Sequence, residues 1–399
     1  MSKKTEADAK RPSLKPPTRL VTGGRDAVAN HGFVNPPVYH ASTVLYPSAE
    51  DFLARRARYL YGRRGTPTSE ALESALRELE GPDCAGVALL PSGLAAISTA
   101  LLAVLKAGDH LLVTDSAYQP TRRFCDSVLR RYGIETTYYD PLIGGGIAAL
   151  MRSNTRAVFV EAPGSLSFEI QDVPAIAAAA HARGGLVLMD NTWATPLYFR
   201  AFDKGVDLSI QAATKYIGGH ADVMLGAITA SETAWPVVRR THEDLGLCTG
   251  PEDVYLALRG LRTLSVRLER HQRTGLELAN WLKARPEVES VIHPGLPEDP
   301  GHAIWSRDFT GASGLFAFVL KPVSHKALAA MLDELKLFGM GYSWGGFESL
   351  IIPFDPSEYR TATEWKAAGP ALRIHAGLED VEDLKADLAA GFARLNAQK

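Results

Sequence analysis

Cysteine is scarce in this sequence of 399 residues, which contains three, far apart and in no paired spacing. Three distant cysteines argue against a disulfide framework and favour a reducing compartment, so we predict a cytoplasmic location. No spacing of His and Cys suits zinc, and no metal site is predicted. Charge of one sign is also not in excess, since the formal net charge is -2. This balance excludes a general attraction for nucleic acid or anionic membranes.

Long apolar runs are missing as well. The longest uncharged stretch, residues 84–105, is interrupted by Pro91-Ser92-Gly93. It therefore indicates a strand, a turn and a buried helix rather than a membrane span. Residues 1–20 are rich in Lys, Arg and Pro and lack the apolar core of a signal peptide. We predict that they form a flexible leader.

Hydrophobic residues are plentiful, at 46% of the chain, which is enough for a sizeable core and more than one domain. Residues 21–65 show no long periodic pattern and are broken by proline, which indicates an extended N-terminal arm. Residues 66–255 alternate short apolar runs with helical patterns. The runs lie at residues 86–90, 110–114, 156–161, 186–190 and 207–213. Such alternation predicts an α/β domain with a parallel sheet and a ligand crevice beyond the carboxyl ends of the strands.

A change of pattern after residue 255 predicts a second, smaller α+β domain at residues 256–399. Residues 255–285 carry leucines at helical spacing and predict one long helix. A strand at residues 314–320, a helix at 325–336 and a strand at 371–376 are predicted to follow. In the first domain, residues 144–146 are three glycines without the spacing of a dinucleotide-binding turn, and we predict a flexible loop there.

A carboxylate and an amine follow neighbouring apolar runs. Asp190 ends one run, and Thr214-Lys215-Tyr216 follows the next. A shared sheet edge would bring together the pair that pyridoxal phosphate (PLP) requires. The amine forms a Schiff base with the aldehyde, and the carboxylate keeps the pyridine nitrogen protonated. Taken separately, an Asp such as Asp190 more often caps a turn, and a Lys such as Lys215 is more often solvated. A shared sheet edge makes the two interpretations equal, so the pair by itself leaves both open.

Two segments offer donors for a phosphate. Ser92-Gly93-Leu94 opens a helical pattern after an apolar run, and its backbone N–H groups suit an anion. Tyr61 and Arg63 lie in a glycine-flanked loop and offer a phenol and a guanidinium. An ordinary strand-to-helix turn and a basic surface loop are the competing interpretations.

Two further side chains suit a small-molecule site. Tyr118 follows the run at residues 110–114 and is placed to stack on a cofactor ring, although a tyrosine in such a loop more often only packs. Arg373 lies within an apolar strand pattern, where an arginine needs a carboxylate partner. That partner is either a structural Asp or Glu or the α-carboxylate of a substrate.

Residues 207–220, with the sequence DLSIQAATKYIGGH, resemble the cofactor-lysine motif of the Cys/Met-metabolism PLP enzymes. Segments around Arg63, Gly93, Tyr118 and Asp190 fall in that family's order, and the match runs from about residue 22 to the C-terminus. The resemblance implies an α/β fold of PLP fold type I, like aspartate aminotransferase. It implies a mostly parallel, mixed seven-stranded sheet in the large domain and a smaller α+β C-terminal domain.

The same resemblance implies a homotetramer, a dimer of dimers in which Tyr61 and Arg63 reach the phosphate in a neighbouring subunit. One departure concerns Ala212, which stands where many relatives have a phosphate-binding serine, so only Thr214 is expected to offer a hydroxyl. The expected cofactor-binding residues are Tyr61, Arg63, Ser92, Gly93, Leu94, Tyr118, Asp190, Thr214 and Lys215.

The segment Tyr342-Ser343-Trp344-Gly345-Gly346 bears on which bond is broken. The γ-lyases and γ-synthases of the family typically carry Glu-Ser-Leu-Gly there, whereas Tyr-Ser-Trp-Gly-Gly is similar to the cystathionine β-lyases. Without the glutamate, an anion that could hold the distal ammonium group of a γ-substrate is lost. The resemblance therefore implies β-elimination of L-cystathionine to L-homocysteine, pyruvate and ammonia, a step of methionine biosynthesis. A γ-type relative, a broader cysteine-S-conjugate β-lyase and a non-catalytic protein on the same fold are the alternatives.

The resemblance also assigns roles to individual residues. Lys215 is expected to carry the cofactor and transfer protons, and Tyr118 is expected to stack on the ring and help deprotonate the incoming amine. The residues expected to contact the substrate are Tyr61, Ser343, Trp344 and Arg373. The expected partners are a small amino-acid substrate and other copies of the chain, with neither nucleic acid nor membrane.

Overall fold

The structure, a computed structural model, describes residues 14–398. Most of the predicted leader, residues 1–13, lies outside the described residues. The predicted boundary at residue 20 falls inside helix α1 (Pro16–Thr22), which buries Leu20. No helix in the described part of the chain is long and apolar enough to cross a membrane.

The large domain is built on a mixed sheet that has seven strands within residues 14–398. These are β1 (Gly86–Leu90), β2 (His110–Thr114), β3 (Glu135–Tyr139), β4 (Thr155–Glu161), β5 (Leu186–Asp190), β6 (Leu208–Gln211) and β7 (Gly226–Ala230). They lie in the order β1-β7-β6-β5-β4-β2-β3. Strands β2 to β6 pair in parallel, while β7 runs antiparallel to both of its neighbours. The predicted α/β class and mixed, mostly parallel sheet are confirmed.

Apolar residues on both faces make this sheet the centre of the domain. Val158 and Met189 belong to the core on one side, whereas Phe159 and Leu188 belong to the core on the other. Strands that are buried on both faces need continuous apolar runs rather than an alternating pattern. This is why the runs were visible in the sequence.

Helices cover both faces of the sheet and form part of the arm. They are α2 (Ala49–Leu53), α3 (Pro67–Glu80), α4 (Gly93–Val104), α5 (Gln119–Phe124), α6 (Val173–His181), α7 (Thr195–Tyr198), α8 (Trp235–Asp244) and α9 (Pro251–Leu261). Side chains fix where the longer helices begin. The Thr66 hydroxyl accepts a hydrogen bond from Ser69 N at the start of α3, and the Ser92 hydroxyl accepts one from Ala95 N at the start of α4.

The topology brings the carboxyl ends of six strands to one edge of the sheet. Strands β1 to β6 run in the same direction, so the residues that follow them meet there. At or just beyond the ends of β1, β2, β4, β5 and β6 lie Ser92, Asp115, Glu161, Asp190 and Ala212.

The smaller domain contains an antiparallel sheet with the order β10-β11-β9-β8. Its strands are β8 (Val288–Ile292), β9 (Leu315–Leu320), β10 (Leu350–Phe354) and β11 (Ala371–His375). Its helices are α10 (Leu264–Lys283), α11 (His302–Asp308), α12 (His325–Leu332) and α13 (Val381–Asn396). The predicted domain boundary at residue 255 falls inside α9 rather than in a linker.

Two sequence predictions are wrong in detail. The single helix predicted at residues 255–285 is two helices, α9 and α10, because the helix is interrupted at Arg262 and Thr263. Gly260 lies so close to the Gly218 carbonyl that an added Cβ would come within 2.2 Å of the oxygen, which fixes the course of the chain just before the break. The triple glycine opens a 3-10 helix, Gly144–Leu150, instead of a flexible loop.

Candidate active site

A cavity of about 450 Å³ opens at the carboxyl edge of the large sheet, between the two domains. Ten of the residues predicted for the site line it: Ser92, Gly93, Leu94, Tyr118, Asp190, Thr214, Lys215, Ser343, Trp344 and Arg373. The fold therefore brings together side chains that lie as much as 281 positions apart in the chain. Their individual roles remain predictions at this point.

Lys215 lies in the turn that follows β6, and its amine points at the smaller domain. Its Nζ donates to Ser343 Oγ at 2.6 Å and lies 5.2 Å from the centre of the Trp344 ring. Burial, and then the nearby Arg373, lower the pKa of Lys215 from 10.5 to about 8, while Asp190 opposes them. A substantial fraction of the amine is therefore neutral near pH 7 to 8, as a nucleophile or proton acceptor requires.

Asp190 ends β5 and is held by the residue two positions later. Its Oδ1 accepts hydrogen bonds from Thr192 N at 3.0 Å and Thr192 Oγ1 at 2.6 Å. The Thr192 hydroxyl also accepts from Ala212 N at 2.9 Å, which links the carboxylate to the turn that carries Lys215. Burial raises the pKa of Asp190, whereas the Thr192 bonds and Lys215 lower it. The remaining oxygen, Oδ2, can accept from a cationic group in the cavity.

Glu161 also belongs to this site, although the sequence interpretation did not select it. It ends β4 directly opposite Asp190 in the strand register, and its Oε2 accepts from Tyr118 N at 2.8 Å. Burial raises the pKa of Glu161 well above its usual value, and the Asp190 charge raises it further. The signal was present in the sequence, since Glu161 ends a predicted strand of the same parallel sheet.

Tyr118 precedes α5, and its ring faces the cavity. Burial raises the pKa of its phenol, Glu161 and Asp190 raise it further, and Arg373 opposes them. The phenol is consequently neutral at physiological pH and offers one donor and one acceptor.

A loop of the smaller domain closes the cavity opposite β6. Ser343 has a φ of 84°, a left-handed conformation that costs energy for a residue with a side chain. This conformation allows Ser343 to bind both cations of the site. Its Oγ accepts from Lys215, and its carbonyl oxygen accepts from Arg373 at 2.8 Å. Trp344 beside it packs on Tyr216, with 5.4 Å between the ring centres.

Arg373 projects from β11 and is largely buried. Among residues 14–398, its side chain makes a hydrogen bond to the Ser343 carbonyl and pairs with no carboxylate. Burial lowers the pKa of Arg373 to about 10. A buried cation without an anionic partner favours an anionic ligand. The role of Arg373 toward a substrate carboxylate stays a prediction.

The start of α4 forms the corner of the cavity that fits a phosphate. The first N–H groups of a helix have no partner inside the helix, and Gly93 and Leu94 present theirs here. A Cβ added at Gly93 would lie 2.5 Å from Ala212 Cβ, so only glycine allows this close approach. The Thr214 hydroxyl already donates to the Leu225 carbonyl at 3.1 Å, and a phosphate would compete for that bond.

Tyr61 and Arg63 do not line this cavity. Arg63 donates to the Glu243 carbonyl at 2.9 Å and lines a separate cavity of about 500 Å³ beside α8. Tyr61 lies in the arm, where its phenol oxygen is 3.4 Å from Ser42 Oγ. The expectation that both residues reach a neighbouring subunit stays a prediction.

The cavity thus has the groups that PLP needs. Lys215 offers an amine for the aldehyde, Asp190 offers a carboxylate for the pyridine nitrogen, and Tyr118 offers a ring for stacking. The start of α4 offers N–H groups for the phosphate. No group of three or more His, Cys, Asp or Glu in the described part of the chain has a geometry suited to a metal ion.

Comparisons with known proteins agree with this geometry. The family described as Cys/Met metabolism PLP-dependent enzymes matches residues 17–393. The cystathionine beta-lyase of Escherichia coli is 44% identical over 389 residues, 95% of this chain and 98% of its own. The L-alanine/L-glutamate racemase of Wolbachia pipientis is 41% identical over 399 residues, 96% of this chain and 98% of its own. The solved structure of cystathionine gamma synthase from Xanthomonas oryzae pv. oryzae matches with a TM-score of 0.89 and 32% identity, covering 98% of this chain and 100% of that chain.

The chain belongs to the Cys/Met metabolism PLP-dependent enzymes. The predictions of this family, of fold type I and of PLP as the cofactor are confirmed. The prediction of a carbon–sulfur lyase agrees with the name of the relative from Escherichia coli.

Proposed function

We propose that this enzyme catalyses β-elimination of L-cystathionine, with L-homocysteine, pyruvate and ammonia as products. The observation that carries the proposal is the loop at the mouth of the cavity. Tyr342 and Trp344 stand where γ-type relatives have Glu and Leu, so no carboxylate from this position meets the distal ammonium group of the substrate. The name of the relative from Escherichia coli supports the same reaction.

Arg373 is assigned to the α-carboxylate of the substrate. Its guanidinium is buried and has no carboxylate partner among the described residues, so an incoming carboxylate gains a charge-assisted, bidentate interaction. The Ser343 carbonyl holds the guanidinium from one side and leaves the other donors for the ligand.

Lys215 is assigned to proton transfer, and Tyr118 is assigned to the substrate amine. When bound, PLP supplies the electron sink that makes the α-proton of an amino acid acidic. The Lys215 amine, with its lowered pKa, takes that proton at Nζ and returns one to the thiolate sulfur as the carbon–sulfur bond breaks. Ser343 Oγ orients Nζ, and the neutral Tyr118 phenol accepts a hydrogen bond from the substrate amine and helps to hold the substrate in the cavity.

The decisive experiment identifies the keto acid that purified protein releases from L-cystathionine. Pyruvate is expected, and 2-oxobutyrate would show that the reaction is of the γ type. The Lys215→Ala variant serves as the control and should release neither keto acid. A panel of cysteine conjugates then tests the alternative of a broader β-lyase, for which cystathionine would not be the preferred substrate.

Racemisation is a second candidate activity. One relative is named as an alanine and glutamate racemase, and Lys215 and Tyr118 provide two proton-carrying groups in one cavity. Incubation with L-alanine in deuterated water should give D-alanine with α-deuterium if both groups reach the α-carbon. Exchange into L-alanine without formation of D-alanine would assign proton transfer to one face only.

A homotetramer with shared active sites completes the proposal. Several large apolar side chains of the arm are exposed in the single chain, including Phe33, Val34 and Leu53, which suits burial against another subunit. If Arg63 serves a neighbouring site, a mixture of the inactive variants Lys215→Ala and Arg63→Ala should regain activity through hybrid assemblies. No regain would argue that each site is complete within one chain. The cytoplasmic location likewise stays a prediction.

A further inference from the structure

A segment of the smaller domain crosses onto the large domain beside the cavity. We call residues 359–363 the strap. It lies between β10 and β11, and it contacts two loops that follow the carboxyl ends of β2 and β4. These loops carry Tyr118 and part of the cavity wall.

Asp115 is the main anchor of the strap. Its carboxylate accepts three successive backbone N–H groups, from Thr361 at 3.0 Å, Ala362 at 3.1 Å and Thr363 at 2.8 Å. It also accepts from Thr363 Oγ1 at 2.8 Å and from Arg122 at 2.8 Å. The Asp115 side chain is 0% exposed, and that of Arg122 is 4% exposed. A buried carboxylate with this many donors fixes the backbone that it binds.

Two arginines add to the anchor. Arg122 also donates to the Tyr359 carbonyl at 2.5 Å, which secures the first residue of the strap. Arg360, within the strap, donates to Glu169 at 2.7 Å and to Ser167 in the loop after β4. The strap is therefore bound to both loops of the large domain.

The bound loops carry residues of the proposed substrate site. Tyr118 lies in the sequence between Asp115, which binds the Thr361 N–H group, and Arg122, which binds the Tyr359 carbonyl, so the segment that carries it is tied to the strap on both sides. Beyond the strap, the chain continues into β11, which carries Arg373. Tyr118 and Arg373 belong to different domains, and the strap connects them outside the cavity.

We propose that Asp115 is a positioning residue that sets the placement of Tyr118 relative to Arg373 by binding the strap. The inference rests on the proposed function, because it takes Tyr118 and Arg373 as the residues that hold the substrate. Lys215 and Asp190 are held by contacts that do not involve the strap, namely those to Ser343 and Thr192. Loss of the anchor should therefore weaken substrate binding more than it slows the chemical step.

The test uses Asp115→Asn holoenzyme and two readouts. Asn keeps the shape but turns an amide donor toward the N–H groups and leaves Arg122 buried without its anion. Trypsin cleavage after Arg360, measured by mass spectrometry against cleavage after the exposed Lys366, reports release of the strap. We expect this ratio to rise about tenfold, because a protease cuts a segment only when it opens. We expect KM for the substrate to rise about tenfold, with kcat within about threefold of the wild type.

Matched variants separate the anchor from general destabilisation. Glu364→Gln makes a similar change of charge close to the strap, and among residues 14–398 Glu364 pairs with the exposed Lys366. Because this variant changes the surroundings of the reference site, its cleavage after Arg360 is measured as an absolute rate, and neither that rate nor KM should change. Glu169→Gln weakens the second anchor, and Thr363→Val removes one bond to Asp115. Both should move the two readouts in the same direction as Asp115→Asn by smaller factors. They decide the question if Asp115→Asn does not fold.

An unchanged cleavage ratio would overturn the role of Asp115 in binding the strap. An increased ratio with an unchanged KM would overturn the positioning role. The cleavage readout involves no substrate, so it stands if the wild type releases no pyruvate from cystathionine. In that case glycine is titrated into the holoenzyme, and its dissociation constant, read from the visible absorption band of the cofactor, replaces KM. A failure of the proposed function and a failure of the anchor are then measured separately.

Discussion

Replacement of Lys215 by Met in cofactor-free protein removes a buried amine and keeps an unbranched side chain. Burial and Arg373 lower the pKa of Lys215 from 10.5 to about 8, so the folded state disfavours the charged amine. Below pH 8 the full free-energy cost of burying the charged amine applies, and this cost disappears as the pH rises from 8 to 10.5. In that interval the unfolded chain binds the proton and the folded chain does not, so wild-type stability rises with pH.

The size of the effect follows from the two pKa values. The difference corresponds to about 3 kcal/mol at pH 7 and about 1.4 kcal/mol at pH 9.5. The variant also loses the hydrogen bond from Lys215 to Ser343, which offsets about 1 kcal/mol of this stabilisation at both pH values. We therefore expect Lys215→Met to be more stable than the wild type by about 2 kcal/mol at pH 7 and nearly equal to it at pH 9.5.

Urea unfolding of both cofactor-free proteins, at equal protein concentration and at both pH values, measures this difference. Lys215→Arg keeps the buried charge and is the control, since it should show no gain at pH 7. A wild type that is at least as stable as Lys215→Met at pH 7 would refute the reasoning. So would a difference that does not change between pH 7 and pH 9.5.

Three further predictions concern single residues. Burial raises the pKa of Glu80 to about 7, against the opposing bond from Thr229, so wild-type stability should fall as the pH rises from 4.5 to 7. Across that interval, the free energy of unfolding of Glu80→Gln, measured in urea, should rise by about 3 kcal/mol relative to that of the wild type. A difference between the two proteins that does not change with pH would contradict this. Gly93→Ala places a Cβ 2.5 Å from that of Ala212, and it should weaken PLP binding at least about tenfold in a titration of the cofactor absorbance. An unchanged affinity would show that the phosphate does not bind at the start of α4. Arg373→Met should raise KM about a hundredfold with little loss of bound cofactor, whereas equal loss of both would argue against a substrate role.

The sequence predicted five of the seven strands that the large sheet has within residues 14–398, because those five are apolar runs buried at the centre of the domain. β1, β2 and β5 begin and end where the apolar runs do, since burial permits little except apolar residues there. β3 was missed because it is an edge strand of mostly half-exposed polar residues, Glu135–Tyr139. β10 was missed because it contains Pro353, which argues against a strand in sequence.

The candidate site divides in a similar way. Lys215 and Asp190 could be found from the sequence, because each follows a recognisable buried strand and parallel strands deliver their ends to one edge. Glu161 met the same condition, yet its importance appears only from the register that places it opposite Asp190 and from its bond to Tyr118 N. Neither contact has a signature in the spacing of the sequence.

What the sequence by itself determined is the class of chemistry: a motif centred on Lys215, a carboxylate at a strand end and a helix start for the phosphate. These features are local, so a few neighbouring residues are enough to encode them. Only the tertiary structure decided which groups face Lys215, because Ser343 lies in the other domain, 128 residues away along the chain. The same loop meets Arg373 within its own domain, 30 residues away. The pKa of Lys215 is set by its burial and by its distances to Arg373 and Asp190. These depend on how the whole chain packs.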